Sequence, residues 1–493
     1  MIEIKNVNFR YKGTEEGGLH DLSLTIHDGE VVLLCGASGC GKTTIGRLIN
    51  GLIPHYYKGE LTGSVIVNGR EIAQTELYDL AGVVGIVFQN PRSQFFAIDT
   101  DGEITFGAEN IGMQPEAIVS RKNDVANEMH IERLLGRSIF ELSGGEKQII
   151  ACASVSVLSP DIMVLDEPSS NLDSSAIMKL KAILANWKSQ GKTIIIAEHR
   201  LYYLRELADR MLLLEDGRIV KELQADEIRG LTFADTERMG LRPLSLTDIG
   251  YSHERESMQN EMLTLENFVF TYKDGKHGIN IPKLELPTRS IIAIIGHNGA
   301  GKSTLARNIC GLEKKCKGLM KLGGKTLKAK DRLRSCYMIM QDVNHQLFTE
   351  SVKDEVMLSI TDKQMTDSEK TQCSEEILSQ LDLSAYSDKH PMALSGGQKQ
   401  RTAIASGIAS SKPILIFDEP TSGLDLCHMK QVAGEILKLR DMGKTVLIVT
   451  HDLEFILSCC DHIVRLEEGK VSENYELSQD TMIRLQQFFA NDK

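Results

Sequence analysis

The pattern GxxxxGK[ST] occurs twice in these 493 residues, as Gly36-Ala37-Ser38-Gly39-Cys40-Gly41-Lys42-Thr43 and as Gly296-His297-Asn298-Gly299-Ala300-Gly301-Lys302-Ser303. Each copy is followed by the same landmarks in the same order. Gln89 recurs as Gln341, and Leu142-Ser143-Gly144-Gly145-Glu146-Lys147-Gln148 as Leu394-Ser395-Gly396-Gly397-Gln398-Lys399-Gln400. Asp166-Glu167-Pro168 recurs as Asp418-Glu419-Pro420, Asn171-Leu172-Asp173 as Gly423-Leu424-Asp425, and His199 as His451. The offset is 252 residues from the glutamine onward; at the loop it is larger, because the first half carries eight extra residues between Lys42 and Gln89. That insertion falls in the stretch from Gly51 to Asn68. So long a period excludes a solenoid and requires a duplicated domain.

Apolar runs place these motifs on elements. Val31 to Cys35 and Ile291 to Ile295 end at a loop glycine and read as buried strands, each followed by a helix that begins near the lysine. Ile162 to Leu165 and Ile414 to Phe417 run into Asp-Glu, and Thr193 to Ala197 and Thr445 to Val449 are two further strands. Helical stretches such as Ser174 to Gln190 and His428 to Arg440 lie between them. Strands alternating with helices predict an α/β fold with a largely parallel sheet in each half. Glu215-Asp216-Gly217-Arg218 and Glu467-Glu468-Gly469-Lys470 read as hairpin turns closing each domain. From about Leu223 to Met262 the pattern gives way to polar, charged sequence. The expected division is therefore 1–222 for the first domain, 223–262 for a linker with a little helix, and 263–493 for the second domain.

Each half is long enough to bury its own core. The formal net charge of −12 argues against broad nucleic-acid binding, which needs basic surface. No apolar run approaches the length that crosses a bilayer, and the opening MIEIKNVNFRYKG has no signal-peptide core. Ten cysteines contain no CxxC pair and no zinc-type Cys/His cluster, so buried reduced thiols are expected.

Small residues in each loop let backbone N–H groups close around a phosphate chain, and the helix that follows adds its dipole. The candidate nucleotide contacts are Gly36, Ser38, Gly39, Gly41, Lys42, Thr43 and Thr44 in the first half. In the second they are Gly296, Asn298, Gly299, Gly301, Lys302, Ser303 and Thr304. The lysines suit the β- and γ-phosphates, and the hydroxyls of Thr43 and Ser303 suit Mg²⁺. Asp166 and Asp418, at strand ends, can reach the same ion, and Glu167 and Glu419 can polarise an attacking water. Gln89 and Gln341 can ligate Mg²⁺ or orient water; His199 and His451 can donate to a γ-phosphate. Ser143 and Ser395 are natural N-caps, and the glycine pairs Gly144-Gly145 and Gly396-Gly397 let an anion approach a helix start, beside Glu146 and Gln398. Tyr11 and Tyr272, early in each half, can stack on adenine or simply pack.

This constellation resembles the ATP-binding cassette (ABC) ATPases over nearly the whole chain, with the LSGG signature as the family's own mark. The resemblance implies two tandem P-loop NTPase domains, each with a largely parallel core sheet, an antiparallel β subdomain and a helical signature subdomain. It implies ATP and Mg²⁺ at two composite sites. One would use Lys42, Thr43, Gln89, Asp166, Glu167 and His199 with Ser395 to Gln398; the other, Lys302, Ser303, Gln341, Asp418, Glu419 and His451 with Ser143 to Glu146. Asn50-Gly51-Leu52-Ile53-Pro54, the inserted GELTGSVIVNG, and Val87-Phe88-Gln89-Asn90-Pro91 with Gln94 look like the duplicated ATPase of energy-coupling-factor (ECF) vitamin importers. The second half echoes them in Met340-Gln341, Gln346-Leu347-Phe348 and Val352-Lys353-Asp354-Glu355-Val356.

That narrower likeness implies a transmembrane T component and a substrate-binding S component as partners. The chain would lie peripherally on the cytoplasmic face of the membrane, with no nucleic acid bound and no direct contact with the transported substrate. Arg92-Ser93 and Asn344-His345 depart from the family's usual acidic pair, Ile149 replaces a basic residue that Arg401 keeps, and Glu146 stands where the second half has Gln398. Two unequal sites, both able to hydrolyse, are expected. The alternatives are the ATPase of another importer or exporter, and a soluble ABC protein acting on ribosomes or DNA.

Overall fold

The computed structural model describes residues 1–13, 17–251, 261–273, 275, 278–362 and 364–490. Positions 252–260 of the expected linker lie outside the described residues. The chain folds as two units, the first drawn chiefly from Met1–Ile249 and the second from Gly250–Ser422 and His428–Asn491.

The first unit contains, in chain order, β1 (Ile2–Tyr11), β2 (Leu19–Ile26), β3 (Val31–Cys35), β4 (Gly59–Val67), β5 (Arg70–Glu71), β6 (Val84–Val87), β7 (Ile162–Asp166), β8 (Thr193–Ala197), β9 (Arg210–Glu215) and β10 (Arg218–Gln224). They form two sheets. One is antiparallel, in the order β2-β1-β4-β5; the other runs β10-β9-β3-β8-β7-β6. In the second sheet β6, β7, β8, β3 and β9 are parallel and only β10 is antiparallel. The five residues of β3 are all buried, because the sheet is covered on both faces. Their alternation divides them: Val31, Leu33 and Cys35 pack with Ile150, Leu180 and Ile183, whereas Val32 and Leu34 pack with Ile45, Leu48 and the antiparallel sheet's Ile2 and Ile4.

The predicted helix after the aspartate of the first half spans Ser174–Ser189, capped by the Asp173 side chain. The predicted hairpin at Glu215–Arg218 joins β9 to β10. Within the stretch read as a linker lie two short helices, Ala225–Gly230 and Phe233–Arg238. Ile228, Leu241 and Leu244 are buried in the first unit's core.

The second unit repeats this plan with β11 (Met262–Thr271), β12 (Gly278–Pro287), β13 (Ile291–Ile295), β14 (Lys317–Leu322), β15 (Lys325–Leu327), β16 (Cys336–Ile339), β17 (Ile414–Asp418), β18 (Thr445–Val449), β19 (His462–Glu467) and β20 (Lys470–Glu476). Its sheets are β12-β11-β14-β15 and β16-β17-β18-β13-β19-β20, strand for strand the order of the first unit. All ten cysteines are free thiols and seven are buried. Among the described residues no helix is long and apolar enough to cross a membrane.

Candidate functional site

The phosphate loops are built by close backbone approach. Gly36 has φ 138° and Gly296 φ 141°. A Cβ on Gly36 would lie 2.2 Å from the Leu214 carbonyl oxygen, and one on Gly296 2.3 Å from that of Leu466, so each loop runs against the neighbouring strand with no room for a side chain. The helices Lys42–Ile49 and Lys302–Cys310 then start at a left-handed glycine, Gly41 or Gly301. Their first N–H groups carry the positive end of the dipole toward the loop. Ser38, Gly39, Asn298 and Gly299 form the exposed loop tips.

Lys42 is buried in its loop, its ammonium donating to the carbonyls of Gly36 and Ala37 at 2.9 Å each. Lys302 does the same to Gly296 at 2.8 Å and His297 at 2.9 Å. A buried ammonium that donates to backbone carbonyls is electrostatically matched to an anion. The next residue faces the strand-end aspartate: Thr43 Oγ1 donates to Asp166 Oδ1 at 3.0 Å, and Ser303 Oγ to Asp418 Oδ1 at 3.1 Å. Burial, reinforced by the neighbouring Glu167, pushes Asp166 up to about 6 against the Thr43 hydrogen bond and the more distant Arg47 and Lys42. Burial also raises Asp418, opposed by Ser303, Arg307 and Lys302.

The glutamates sit one residue further on in left-handed backbone, with φ 44° at Glu167 and 51° at Glu419. That conformation costs a non-glycine residue about 1–2 kcal/mol and marks sites where side-chain aim outweighs comfort. A hydrogen bond from the Glu167 N–H to the Ala197 carbonyl at 2.8 Å holds it, and Glu419 to Val449 repeats it at 2.8 Å. Gln89 Nε2 donates to Glu167 Oε2 at 2.6 Å, and His199 Nε2 lies 3.3 Å from Glu167 Oε1. His451 Nε2 lies 3.4 Å from Glu419 Oε1. The His199 Nε2 atom is buried and makes no hydrogen bond of good geometry. The structure thus gathers Thr43, Gln89, Asp166, Glu167 and His199 beside the Lys42 loop. In the second unit it gathers Ser303, Asp418, Glu419 and His451 beside the Lys302 loop, and Gln341 is exposed two residues past the end of β16.

The signature residues lie at helix starts. Ser143 caps the helix Gly144–Ser156: its Oγ accepts from the Glu146 N–H at 3.2 Å, while Glu146 accepts from the Ser143 N–H at 2.9 Å. Ser395 and Gln398 make the same reciprocal pair at the helix Gly396–Ala409. The sequence reading anticipated the N-cap serines but not that Glu146 and Gln398 close the box. Burial raises the Glu146 carboxyl, but the Ser143 bonds and the Arg137 and Arg133 guanidinium groups outweigh it, leaving a carboxylate held below the usual range.

Tyr11 and Tyr272 hold equivalent places. The Tyr11 hydroxyl is 3.1 Å from Thr44 Oγ1 and that of Tyr272 3.3 Å from Thr304 Oγ1. Each ring meets a phenylalanine edge-on, Phe9 at 4.7 Å and Phe270 at 4.9 Å. Tyr11 also accepts from Arg47 at 2.9 Å.

Mg²⁺ fits the donors present. Thr43, Asp166 and Gln89 offer oxygen, and an aspartate whose ionisation is opposed by burial gains from a cation. No cluster of three His, Cys, Asp or Glu side chains occurs among the described residues.

Sequence reasoning missed two buried carboxylates in each unit. Glu103 Oε2 accepts the N–H groups of Phe96 and Ala97 at 2.8 and 2.9 Å. Glu355 Oε2 accepts those of Phe348 and Thr349 at 3.0 and 3.1 Å. The others, Glu198 and Asp452, flank the histidines. The 252-residue offset relates Glu103 to Glu355 and was the available signal for that pair; Glu198 and Asp452 stand at non-equivalent positions of the repeat.

Comparison with known proteins agrees with this geometry. The family profile described as "ABC transporter" matches residues 19–170 and 279–422. Two proteins of Treponema denticola, each described as "Putative ABC transporter ATP-binding protein", are 46% and 39% identical over 96% and 97% of this chain, and the matches cover 96% and 97% of those proteins. Among solved structures, the "RNase-L Inhibitor" aligns over 98% of this chain and 92% of its own with TM-score 0.64 at 21% identity, a likeness of fold. With two matched cassettes and full-length relatives of this kind, the chain belongs to the ABC transporter family and is an ATP hydrolase built from two tandem ATP-binding cassettes.

Proposed function

We propose that this chain powers an ECF-type importer of a vitamin or related micronutrient, working at the cytoplasmic face of the membrane on a transmembrane T component that accompanies a substrate-binding S component. The observation that supports a membrane partner is the loop after each glutamine. Gln94 Oε1 accepts the Phe88 N–H at 3.2 Å, and Gln346 Oε1 accepts the Met340 N–H at 3.2 Å. With Glu103 and Glu355 clamping the other side, each loop is a built structure, yet it holds a phenylalanine in water: Phe96 is 73% and Phe348 74% exposed. Covering such a side chain is worth about 2 kcal/mol. In the first unit Phe96 stacks on Phe106, with ring centroids 4.9 Å apart, at the edge of an apolar groove of about 360 Å³ lined by Leu52, Leu80, Val84, Phe88 and Leu158. An apolar face rimmed by polar residues is what a docking segment needs. The ECF identity rests on the sequence resemblance carried by Asn50 to Pro54, the insertion and Gln94.

In this reading Tyr11 and Tyr272 carry the base, and the two loops, through Lys42 and Lys302, bind the phosphates. Glu167 and Glu419 accept a proton from the attacking water, positioned by Gln89 and Gln341. His199 and His451 donate to the γ-phosphate. Mg²⁺, when bound, neutralises phosphate charge, with Thr43, Gln89 and Asp166, and Ser303, Gln341 and Asp418, as its protein ligands. The test is purification of the tagged chain from detergent-solubilised native membranes, with partners identified by mass spectrometry. Two multi-spanning proteins are expected; ribosomal proteins or nucleic acid without a membrane protein would overturn the proposal in favour of a soluble role.

A further inference from the structure

The two histidine loops are wired from opposite sides. In the first unit the residue before the histidine is Glu198, 2% exposed. Its Oε1 accepts the N–H groups of His199 at 2.7 Å and Arg200 at 3.1 Å. Its Oε2 accepts the Ser169 N–H at 3.2 Å and the Tyr203 hydroxyl at 2.9 Å. Burial, with the carboxylate beside it, pushes the Tyr203 hydroxyl well up, so it stays a donor. Arg200 reaches the other way, its Nη1 donating to the Leu172 carbonyl at 3.0 Å. These contacts tie the loop carrying His199 to the loop that follows Glu167.

In the repeat, Thr450 stands at the place of Glu198, Asp452 at Arg200, Thr421 at Ser169 and Phe455 at Tyr203. The carboxylate has moved to the far side of the histidine. Thr421 Oγ1 donates to Asp452 Oδ2 at 2.9 Å, Asp452 Oδ1 accepts the Phe455 N–H at 3.2 Å, and the Asp452 N–H donates to Thr450 Oγ1 at 3.1 Å. The four exchanges are mutually consistent. Where the glutamate is present its partner is a phenol, and where it is absent that ring has no hydroxyl. Where the aspartate is present a threonine hydroxyl faces it.

We infer that Glu198 is the positioning residue of the first hydrolytic centre: by accepting four donors from two loops it sets His199 against Glu167, as Asp452 does for His451 from the opposite side. A carboxylate suits this position because all four partners are donors; an amide would turn its own NH₂ toward at least one backbone N–H and leave a buried donor unmet. The inference rests on the assignment of Glu167 and His199 to hydrolysis and is independent of which membrane protein the chain serves.

The test uses the full chain, with Glu198→Gln, His199→Ala, the double variant, and a transplant of the second unit's wiring (Ser169→Thr, Glu198→Thr, Arg200→Asp, Tyr203→Phe), each measured for kcat, KM and thermal unfolding. A residue acting through His199 gives non-additive effects. Glu198→Gln is expected to lower kcat at least about fivefold or to the His199→Ala level, whichever loss is smaller, with KM within about threefold. The double variant should be no slower than His199→Ala, and the transplant should recover kcat to within about threefold of the natural chain. Multiplying losses in the double variant, an unchanged kcat in Glu198→Gln, or a folded transplant as slow as Glu198→Gln would overturn the inference; if Glu198→Gln does not fold, the transplant decides. An unchanged kcat in His199→Ala would instead show that the hydrolytic assignment itself has failed, and the positioning role with it.

Discussion

Asp166 is the residue at which stability and use are most plainly opposed. Its carboxyl is raised from 3.8 to about 6 in the folded chain. Between those values the native state binds more protons than the unfolded state, so this group favours folding below about pH 4 and loses that contribution as pH rises through 6. Asp166→Asn removes an ionised buried carboxylate while keeping an acceptor for Thr43. At pH 7.5 without nucleotide it should stabilise the chain by about 2 kcal/mol, and the gain should vanish near pH 4. Urea unfolding at both pH values checks this, and MgATP turnover should fall at least about a hundredfold in the same variant. Glu167→Gln should behave differently: turnover falls by a similar factor while ATP still protects against thermal unfolding, because the side chain touches Gln89 and His199 and leaves the phosphate loop intact.

Among the elements, the signature helices separate fold from chemistry. Ser143→Ala removes the cap of Gly144–Ser156 and should cost about 1 kcal/mol in unfolding experiments. Ser143→Asp restores a cap acceptor and should recover that stability, yet place a second negative charge beside Glu146 and weaken ATP-dependent turnover. The elements that bear the site were legible because each ends where its periodicity does: β3, β7 and β8 are apolar runs stopped by Gly36, by Asp166-Glu167 and by Glu198-His199. The catalytic candidates were legible because one half's pattern repeats in the other. What sequence could not show was contact between distant segments. Nothing local in Glu198 distinguishes a carboxylate bonded to Ser169 and Tyr203 from one in water, and Ile228 reads as an isolated apolar residue in a charged stretch although it is buried in the core. Glu103 and Glu355 escaped for a different reason: their partners are nearby but are chiefly backbone N–H groups, which no residue type announces.

For the molecule as a whole, Phe96 and Phe348 make the proposed membrane attachment testable without disturbing either core. Phe96→Asp with Phe348→Asp should leave the melting temperature within a degree or two, both side chains being largely exposed, while the chain's retention in the native membrane fraction falls at least about fivefold. A duplicated chain also carries a record of how hard each copy is worked. At Glu167 and Glu419 the backbone is left-handed, so glycine or asparagine would fit either place with less strain than the glutamate found there. If one cassette of a lineage fell idle, drift at that position would therefore run downhill, toward a sturdier and inert protein. An idle cassette in this family should therefore be recognisable by a residue at that place that eases the backbone and by the stability it adds.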